Sequence, residues 1–268
     1  MSETIKKPTK AVILAGGFGT RISEESFLKP KPMLEIGGMP ILWHIMKIYS
    51  AQGVNEFIIC AGYKQQIIKE WFSDYFFYTS DITFDFTRGD RVIVHDQHVE
   101  PWKVTVVDTG LHTMTGGRIK RIQKYVGEEP FFLTYGDAVA NVELDSLVKF
   151  HQGHGRCVTL TSVSVAQQKG VLDVEENGQV KSFREKSEED EAVINGGFMV
   201  CNPKIFDYLK GDTTVLEKGP MREMAADGEL MSYYHDGFWR CMDTKREKDE
   251  LEEIWAGGNA PWKIWEED

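Results

Sequence analysis

The chain is poor in cysteine and carries no excess of positive charge, and each shortage excludes a class of protein. Its four cysteines lie far apart and form no Cys-x-x-Cys pair, so the sequence indicates neither a zinc site nor a disulfide framework. The formal net charge is -11, whereas nucleic-acid binding normally needs a basic surface that displaces counterions. Nucleic acid is therefore not an expected partner, and an anionic ligand needs cations concentrated at one site.

Long apolar segments are also missing. No apolar run approaches the roughly 20 residues that cross a bilayer, and residues 1–10 lack the apolar core of a secretory signal. We expect a cytoplasmic protein without a membrane partner, with a flexible leader over residues 1–9 and a single domain over residues 10–268. The length permits one large domain, and no Pro- or Ser-rich linker divides the chain.

A glycine-rich segment near the N-terminus is the strongest functional signal. Residues 10–15 form a short apolar run that predicts a buried strand, and three glycines follow it within four positions. Because glycine has no Cβ, main-chain N–H groups at such a turn approach a polyphosphate closely. Arg21 adds a forked hydrogen-bond donor, and Lys31 follows ten residues later. The pattern predicts an anion site at the end of a strand, with Lys29 and Arg118 as further candidate cations.

Two better-known phosphate-binding loops fit this segment less well. A Walker loop requires a lysine directly after its last glycine, and the chain contains no Gly-Lys dipeptide. A dinucleotide fingerprint beginning at Gly17 would place Ile22 at the position of its third glycine and the charged Arg21 where the helix should pack. The Walker interpretation fails, and the dinucleotide interpretation stays open as an alternative.

The order of apolar runs and amphipathic segments predicts an α/β fold. Strands are predicted over residues 11–15, 56–61, 91–95, 104–107, 130–135, 157–165 and 192–201, with one more carrying Ile82, Phe84 and Phe86. Helices are predicted over residues 41–51, 64–76, 144–150 and 244–255, with one more beginning at Arg118 after Gly116 and Gly117. Asp137 follows an apolar strand, so its carboxylate is expected at the ligand crevice of a largely parallel sheet.

The glycine-rich segment also begins a series of motifs that resembles a known family. Residues 14–21 read Leu-Ala-Gly-Gly-Phe-Gly-Thr-Arg, followed by Lys-Pro-Lys-Pro-Met at 29–33 and Gly-Gly-Met-Pro-Ile-Leu at 37–42. This order is similar to the start of the sugar-1-phosphate nucleotidyltransferases. Within that group, the motifs at residues 99–102, 107–110, 114–118 and 260–263 resemble the glucose-1-phosphate cytidylyltransferases. The resemblance runs from about residue 10 to the C-terminus, which makes it more specific than a glycine motif alone.

The resemblance implies a Rossmann-like three-layer fold with a mixed, mainly parallel central sheet, of the GT-A-like nucleotidyltransferase type. Residues 10–140 are expected to bind the nucleotide, residues 141–243 the sugar, and residues 244–268 to form a C-terminal helix and tail. The implied nucleotide-binding residues are Leu14, Ala15, Gly16, Gly17, Phe18, Gly19, Thr20, Arg21, Lys31, Thr113, Gly116, Gly117, Arg118 and Gly136. The implied contacts with the sugar phosphate are Glu185, Lys186, Asn195 and Gly196.

A magnesium site held by Asp137 and Asp243 is implied in the same way. Mg²⁺ prefers oxygen ligands and usually takes one or two carboxylates, with phosphates and water completing its coordination. Taken alone, Asp243 is equally compatible with an N-cap for a helix beginning near Thr244. Arg21, Lys31 and Asp137 are the implied catalytic residues.

The implied reaction joins CTP to a sugar 1-phosphate, with α-D-glucose 1-phosphate as the expected acceptor and CDP-glucose and pyrophosphate as products. The sugar phosphate attacks the α-phosphorus in line. Because a phosphate dianion is already a competent nucleophile, no side-chain base is required, and catalysis consists of positioning and charge neutralisation. The resemblance also implies a role in CDP-sugar and polysaccharide biosynthesis.

Several alternatives remain open at this point. The same chemistry with another nucleoside triphosphate or phosphorylated acceptor fits the same motifs, and a non-catalytic nucleotide-sugar sensor is a candidate from another class. The resemblance further implies a homo-oligomer. The aromatic C-terminal tail, with Trp255, Trp262 and Trp265, is a candidate contact surface between subunits, and packing of that tail within its own chain is the alternative.

Overall fold

A computed structural model describes residues 7–22, 26–87, 89, 91–97, 99–166, 171–174, 180–184 and 191–266. The strands are β1 (Lys10–Ala15), β2 (Glu35–Ile36), β3 (Met39–Pro40), β4 (Glu56–Ala61), β5 (Ser80–Asp85), β6 (Arg91–Gln97), β7 (Lys103–Asp108), β8 (Phe131–Tyr135), β9 (Ala138–Ala140), β10 (Val158–Ala166), β11 (Val171–Val174), β12 (Val180–Arg184), β13 (Glu191–Asn195), β14 (Met199–Cys201), β15 (Leu230–His235) and β16 (Trp239–Cys241). The helices are α1 (Ile41–Ser50), α2 (Gln65–Tyr78), α3 (Thr115–Arg121), α4 (Gln123–Val126), α5 (Leu144–His154), α6 (Pro220–Ala226) and α7 (Lys245–Ala256).

Eight strands form one mixed sheet, in the order β13-β10-β14-β8-β1-β4-β7 with β15 also paired to β10. The neighbours β8, β1, β4 and β7 are parallel, whereas β14 runs antiparallel to β8 and to β10. The carboxyl ends of β1 and β8 therefore meet at one edge of the sheet, which is where open α/β folds bind their ligands. The predicted mixed, mainly parallel α/β sheet is confirmed.

Side chains on the two faces of the sheet enter separate hydrophobic clusters. In β1, Ala11 and Ile13 face one cluster with α1, α5 and α7, while Val12 and Leu14 face the other with α3 and α6. This alternation follows from the two-residue period of a strand. Both faces are covered by helices, as in the predicted three-layer arrangement, and this explains why β1 reads as an uninterrupted apolar run.

A short antiparallel pair outside the main sheet positions two carboxylates. Strand β9 pairs with β16, with Ala138 opposite Cys241 and Ala140 opposite Trp239. Because the strands are antiparallel, the residue that precedes β9 lies beside the residues that follow β16. The Met242 N–H donates to the Asp137 carbonyl at 2.8 Å, which fixes this junction.

Three element predictions need correction. Residues 192–201 form two strands rather than one, because a turn centred on Gly196 and Gly197 separates β13 from β14, with Gly197 at a φ of +78°. The helix expected to begin at Arg118 begins at Thr115 and includes both glycines. The last helix begins at Lys245, with Thr244 as its N-cap, so Asp243 is not the cap.

Some sequence predictions concern parts that the structure does not describe. The greater part of the predicted leader, residues 1–6, lies outside the described residues. The division of the chain into nucleotide, sugar and tail parts stays a prediction. Among the described residues, no helix is both long and apolar enough to span a bilayer.

Candidate active site

A cleft of about 560 Å³ lies at the carboxyl ends of β1 and β8. Its volume is large enough for a nucleotide, since ligand sites typically enclose several hundred cubic ångströms. Most of the residues predicted to bind nucleotide line it. The lining consists of Leu14, Ala15, Gly16, Gly17, Phe18, Gly19, Thr20, Arg21, Ile22, Lys31, Pro32, Leu111, His112, Thr113, Met114, Thr115, Arg118, Tyr135, Gly136, Asp137, Glu217 and Asp243.

The glycine loop is held in place by a buried arginine. The guanidinium of Arg118 donates to the carbonyl oxygens of Gly16 at 2.9 Å and Gly110 at 2.7 Å, and to the Thr109 hydroxyl at 2.8 Å. A Cβ at Gly16 would lie only 2.2 Å from Arg118 Nη1. Glycine is therefore required there for close packing, and the charge of Arg118 is directed at main-chain carbonyls of the cleft wall.

Gly116 and Gly117 pack against the chain rather than opening the cleft to a ligand. A Cβ at Gly116 would lie 2.7 Å from Thr214 Cγ2, and one at Gly117 would lie 2.6 Å from Asp212 Cα. The Gly117 N–H donates to the Thr214 carbonyl at 3.2 Å. The sequence identified these glycines as a close-approach position, and in the structure the approaching group is the 212–214 segment.

The charged side chains of the cleft form one compact cluster. Lys31 Nζ lies 2.6 Å from Asp137 Oδ2 and 2.5 Å from Asp243 Oδ1. Arg21 pairs with the second oxygen of Asp243 while most of its own side chain remains exposed. Burial alone would lower the pKa of Lys31, but the two carboxylates raise it above its ordinary value. Lys31 thus stays cationic, and it holds the two carboxylates beside the glycine loop.

Local structure explains why these residues converge. Lys31 is the first residue of a short 3-10 turn, and Pro32 follows it in the first turn, where the N–H that proline lacks would have no partner within the turn. Asp137 and Asp243 are separated by more than 100 residues in the sequence and are brought together by the β9–β16 pair. Next to them, Gly136 leaves no room for a side chain, because a Cβ would lie 2.8 Å from the Leu14 carbonyl.

The predicted sugar-phosphate residues are described only in part. Glu185 and Lys186 lie outside the described residues. Asn195 donates from Nδ2 to the Tyr135 hydroxyl at 3.2 Å and accepts from the Gly197 N–H at 3.0 Å. The Gly196 carbonyl accepts from Trp239 Nε1 at 2.8 Å. Asn195 and Gly196 thus belong to a turn that is braced against the end of β8.

Tyr135 and Glu217 also line the cleft, although they were not predicted as site residues from the sequence. Tyr135 donates to Glu217 Oε1 at 2.8 Å, and Thr115 donates to Glu217 Oε2 at 2.8 Å. The position of Tyr135, directly before Gly136 and Asp137, is a signal that was available in the sequence. Glu217 lies in an irregular segment with no motif around it, so the sequence alone offered no means of finding it.

Asp137 and Asp243 can also supply ligands to a divalent cation. Both offer carboxylate oxygens on the same side of the cleft, where Lys31 already holds them together. Among the described residues there is no group of three or more His, Cys, Asp or Glu side chains suited to a metal. A cation held here would complete its coordination with substrate oxygens or water, as hard divalent cations at phosphate sites do.

Known proteins resemble this chain along most of its length. The family model described as Nucleotidyl transferase matches residues 10–240. Glucose-1-phosphate cytidylyltransferase of Salmonella typhi is 53% identical over 258 residues, covering 96% of this chain and 100% of that protein. The probable glucose-1-phosphate cytidylyltransferase of Bacillus subtilis (strain 168) is 47% identical over 257 residues, covering 96% and 100%.

Two solved structures share the fold at low sequence identity. HddC from Yersinia pseudotuberculosis complexed with GMP-PN has a TM-score of 0.67 at 23% identity, covering 92% of this chain and 99% of that one. UDP-glucose pyrophosphorylase complexed with UDP-glucose has a TM-score of 0.65 at 17% identity, covering 94% and 99%. Since the family match spans most of the chain and includes the glycine loop, Lys31 and Asp137, this protein belongs to the nucleotidyl transferase family.

Proposed function

We propose that the protein transfers the cytidylyl group of CTP to α-D-glucose 1-phosphate, giving CDP-glucose and pyrophosphate. The observation that carries the proposal is the cluster in which Lys31 lies between Asp137 and Asp243 beside the glycine loop. Identity of 53% along nearly the whole chain to a glucose-1-phosphate cytidylyltransferase supports the choice of base and acceptor. The product belongs to CDP-sugar biosynthesis.

The residues of the cleft would act by positioning and by neutralising charge. The sugar phosphate attacks the α-phosphorus of CTP, a new P–O bond forms, and the bond to the β-phosphate oxygen breaks to release pyrophosphate. Main-chain N–H groups of residues 14–20 cradle the triphosphate. Arg21 neutralises the departing phosphates, and Lys31, which like any lysine with an ordinary pKa is protonated at neutral pH, bridges the reacting ones.

Mg²⁺ is the metal that we propose for Asp137 and Asp243. The donor set fits, because both groups are carboxylates and they already converge on a single cation, the Lys31 ammonium group, at 2.6 and 2.5 Å. When bound, Mg²⁺ would supply charge neutralisation at the α-phosphate and the leaving oxygen. The two aspartates would hold it, and Lys31 and Arg21 would orient the phosphates around it.

The remaining predicted contacts are part of the same proposal. Thr113 and the main chain around Phe18 would contact the nucleoside, while Arg118 fixes the loop that receives it through its bond to the Gly16 carbonyl. Asn195 and Gly196, together with Glu185 and Lys186, would line the sugar phosphate.

We also propose a homo-oligomer, in which the contact surface between subunits is not the aromatic tail that the sequence suggested. Trp262 is completely buried within its own chain, which favours intramolecular packing of that tail. Large exposed side chains lie instead on the β5–β6 hairpin, where Phe84 is 54% and Phe86 is 78% exposed. A two-stranded hairpin is marginal by itself, and an exposed apolar patch of this kind suits contact with a second copy of the chain.

Pyrophosphate release provides the test of the proposed reaction. The protein with Mg²⁺ is incubated with each of the four nucleoside triphosphates and a panel of sugar 1-phosphates. We expect release to be fastest with CTP and glucose 1-phosphate, and Asp137→Asn to reduce it by at least about 100-fold because a metal ligand is lost. Asp74→Asn, on the exposed side of α2, is the matched control and should retain the wild-type rate.

The same assay separates the alternatives. Fast release only with UTP or dTTP would contradict the cytidylyl assignment, while release with another sugar 1-phosphate would change the acceptor. Binding of CTP by calorimetry without turnover of any pair would identify a nucleotide-sugar sensor instead of an enzyme.

A further inference from the structure

A chain of hydrogen bonds crosses the cleft wall and ends at a carboxylate with unused acceptor capacity. Asn195 donates to the Tyr135 hydroxyl at 3.2 Å, and Tyr135 donates its own proton to Glu217 Oε1 at 2.8 Å. From the other side, Thr115 donates to Glu217 Oε2 at 2.8 Å and accepts from the Leu216 N–H at 2.9 Å. Each hydroxyl proton is therefore committed to Glu217.

The orientation of Glu217 is fixed by these neighbours. Tyr135 is the proton donor of its pair with Glu217, because an ionised carboxylate oxygen can only accept a hydrogen bond. A carboxylate offers about four lone-pair positions, and each oxygen of Glu217 receives one of these two hydrogen bonds. The carboxylate thus has room for a further donor on the cleft side, where both Glu217 and Tyr135 are part of the lining.

Charge decides what kind of group fits that position. Arg21 and Lys31, the cations assigned to phosphate, pair with Asp137 and Asp243 instead of with Glu217. The two groups that hold Glu217 are neutral hydroxyls, so its negative charge repels a phosphate. The group that suits it is uncharged and donates a hydrogen bond. Sugar hydroxyls are the most numerous donors of this kind in sugar nucleotides and sugar phosphates, and the exocyclic amine of cytosine is the other.

The position of Glu217 indicates where such a hydroxyl would lie. Thr115 starts the helix beside the predicted nucleoside contacts, whereas Asn195 belongs to the turn predicted to face the sugar phosphate. We propose that Glu217 is a specificity-determining residue that accepts a hydrogen bond from a substrate sugar hydroxyl, and that Tyr135 is a positioning residue that holds it. The inference rests on the proposed function. The hydroxyl belongs either to the ribose of CTP or to the hexose of glucose 1-phosphate.

Deoxy analogues identify the hydroxyl. Values of kcat/KM are measured for wild-type enzyme, Glu217→Gln, Tyr135→Phe and the double variant. The nucleotides are CTP, its 2′- and 3′-deoxy forms and UTP, and the acceptors are glucose 1-phosphate and its 2-, 3-, 4- and 6-deoxy forms. Wild-type enzyme should disfavour one analogue by at least about 10-fold, since a hydrogen bond to a charged group is lost. In Glu217→Gln, that preference should fall to about 3-fold or less, because the charged acceptor is gone.

Comparison of the kcat/KM preferences of the variants distinguishes the loss of Glu217 positioning from a general loss of activity. Tyr135→Phe should reduce the same preference and no other, and the double variant should be no worse than Glu217→Gln alone, as expected for residues acting as one unit. Glu223→Gln, an exposed carboxylate on α6 paired with Lys210, is the control and should retain wild-type values. Urea unfolding of each variant checks folding, and Tyr135→Phe carries the test if Glu217→Gln does not fold.

Distinct outcomes would overturn the two proposals. Loss of preference against a deoxy-CTP assigns the hydroxyl to ribose, and loss against a deoxyglucose 1-phosphate assigns it to the hexose. If active wild-type enzyme shows no such preference, or if both variants keep it unchanged, this inference is wrong and the proposed function stands. If Glu217→Gln alters only the choice between CTP and UTP, the hydroxyl assignment is overturned. If wild-type enzyme releases no pyrophosphate from any pair, the proposed function fails and this inference fails with it.

Discussion

At the scale of single residues, Arg118 determines the shape of the glycine loop. Its guanidinium group is buried and bonded to the carbonyls of Gly16 and Gly110 and to the Thr109 hydroxyl, so it has little freedom to move. The identity of residue 16 is thereby restricted by a side chain that lies about 100 residues away in the sequence. The adjacent Gly16 and Gly17 should therefore differ in whether a residue with a Cβ can replace them.

We predict that Gly16→Ala destabilises the protein by about 2 kcal/mol, since its Cβ would lie 2.3 Å from Arg118 Cζ and displace a clamped group. Gly17→Ala should change stability by less than about 0.5 kcal/mol, because nothing lies within 4 Å of its Cβ and its φ is not positive. Urea unfolding of both variants provides the measurement. Equal free energies of unfolding for the two would contradict the role given to Arg118.

At the scale of elements, a strand could be predicted from the sequence when enough of its residues formed an apolar pattern. Strands β1, β4 and β8 are buried on both faces and were predicted from continuous apolar runs. The three-residue strands β9 and β16 are too short to show a period, yet they bring Asp137 and Asp243 together. The sequence therefore indicated the parts of the candidate site through motifs at the strand ends. It did not show that the β9–β16 pair brings Asp137 and Asp243 together.

The lack of a local pattern also explains why the sequence did not predict Glu217 as a site residue. The loop from Leu14 to Arg21 and Lys31 lie close together in the chain and form one recognisable motif. Glu217 is held in the cleft by bonds to Thr115 and Tyr135, which belong to other elements. A side chain that depends on partners from distant elements leaves no local pattern in the sequence.

The β5–β6 hairpin gives the prediction at this scale. If it contacts a second copy of the chain, Phe84→Ser combined with Phe86→Ser should shift the protein toward the monomer mass of 30.6 kDa, because the exposed apolar contact is removed. Size-exclusion chromatography with light scattering measures this. Val193→Ser, which alters a 65% exposed side chain on β13, is the control and should leave the mass unchanged. A wild-type protein that elutes as a monomer would contradict the proposed oligomer.

At the scale of the whole molecule, a buried histidine is one of the contacts that join the C-terminal tail to the N-terminal half. His44 on α1 is completely buried and contacts the rings of Trp255 and Trp262, at centroid distances of 4.6 and 6.2 Å. Its Nε2–H donates to the Ile36 carbonyl at 2.8 Å, while Nδ1 accepts from Trp262 Nε1–H at 3.4 Å. The bond from Trp262 favours the neutral ring, since a proton on Nδ1 would face another N–H.

Lowering the pH should therefore reduce the free energy of unfolding through His44. Burial lowers its pKa from 6.5 to about 4, so between these values the unfolded state binds the additional proton. Its contribution to the free energy of unfolding is fully present above pH 6.5 and is lost as the pH falls toward 4, in total about 3 kcal/mol. Urea unfolding between pH 7.5 and 4 should show this loss. His44→Gln, which keeps a donor for the Ile36 carbonyl but does not titrate, should flatten that part of the profile. An NMR titration in which the His44 ring protonates near pH 6.5 would contradict the argument, because a buried ring bonded as an acceptor to Trp262 cannot take up a proton at its ordinary pKa.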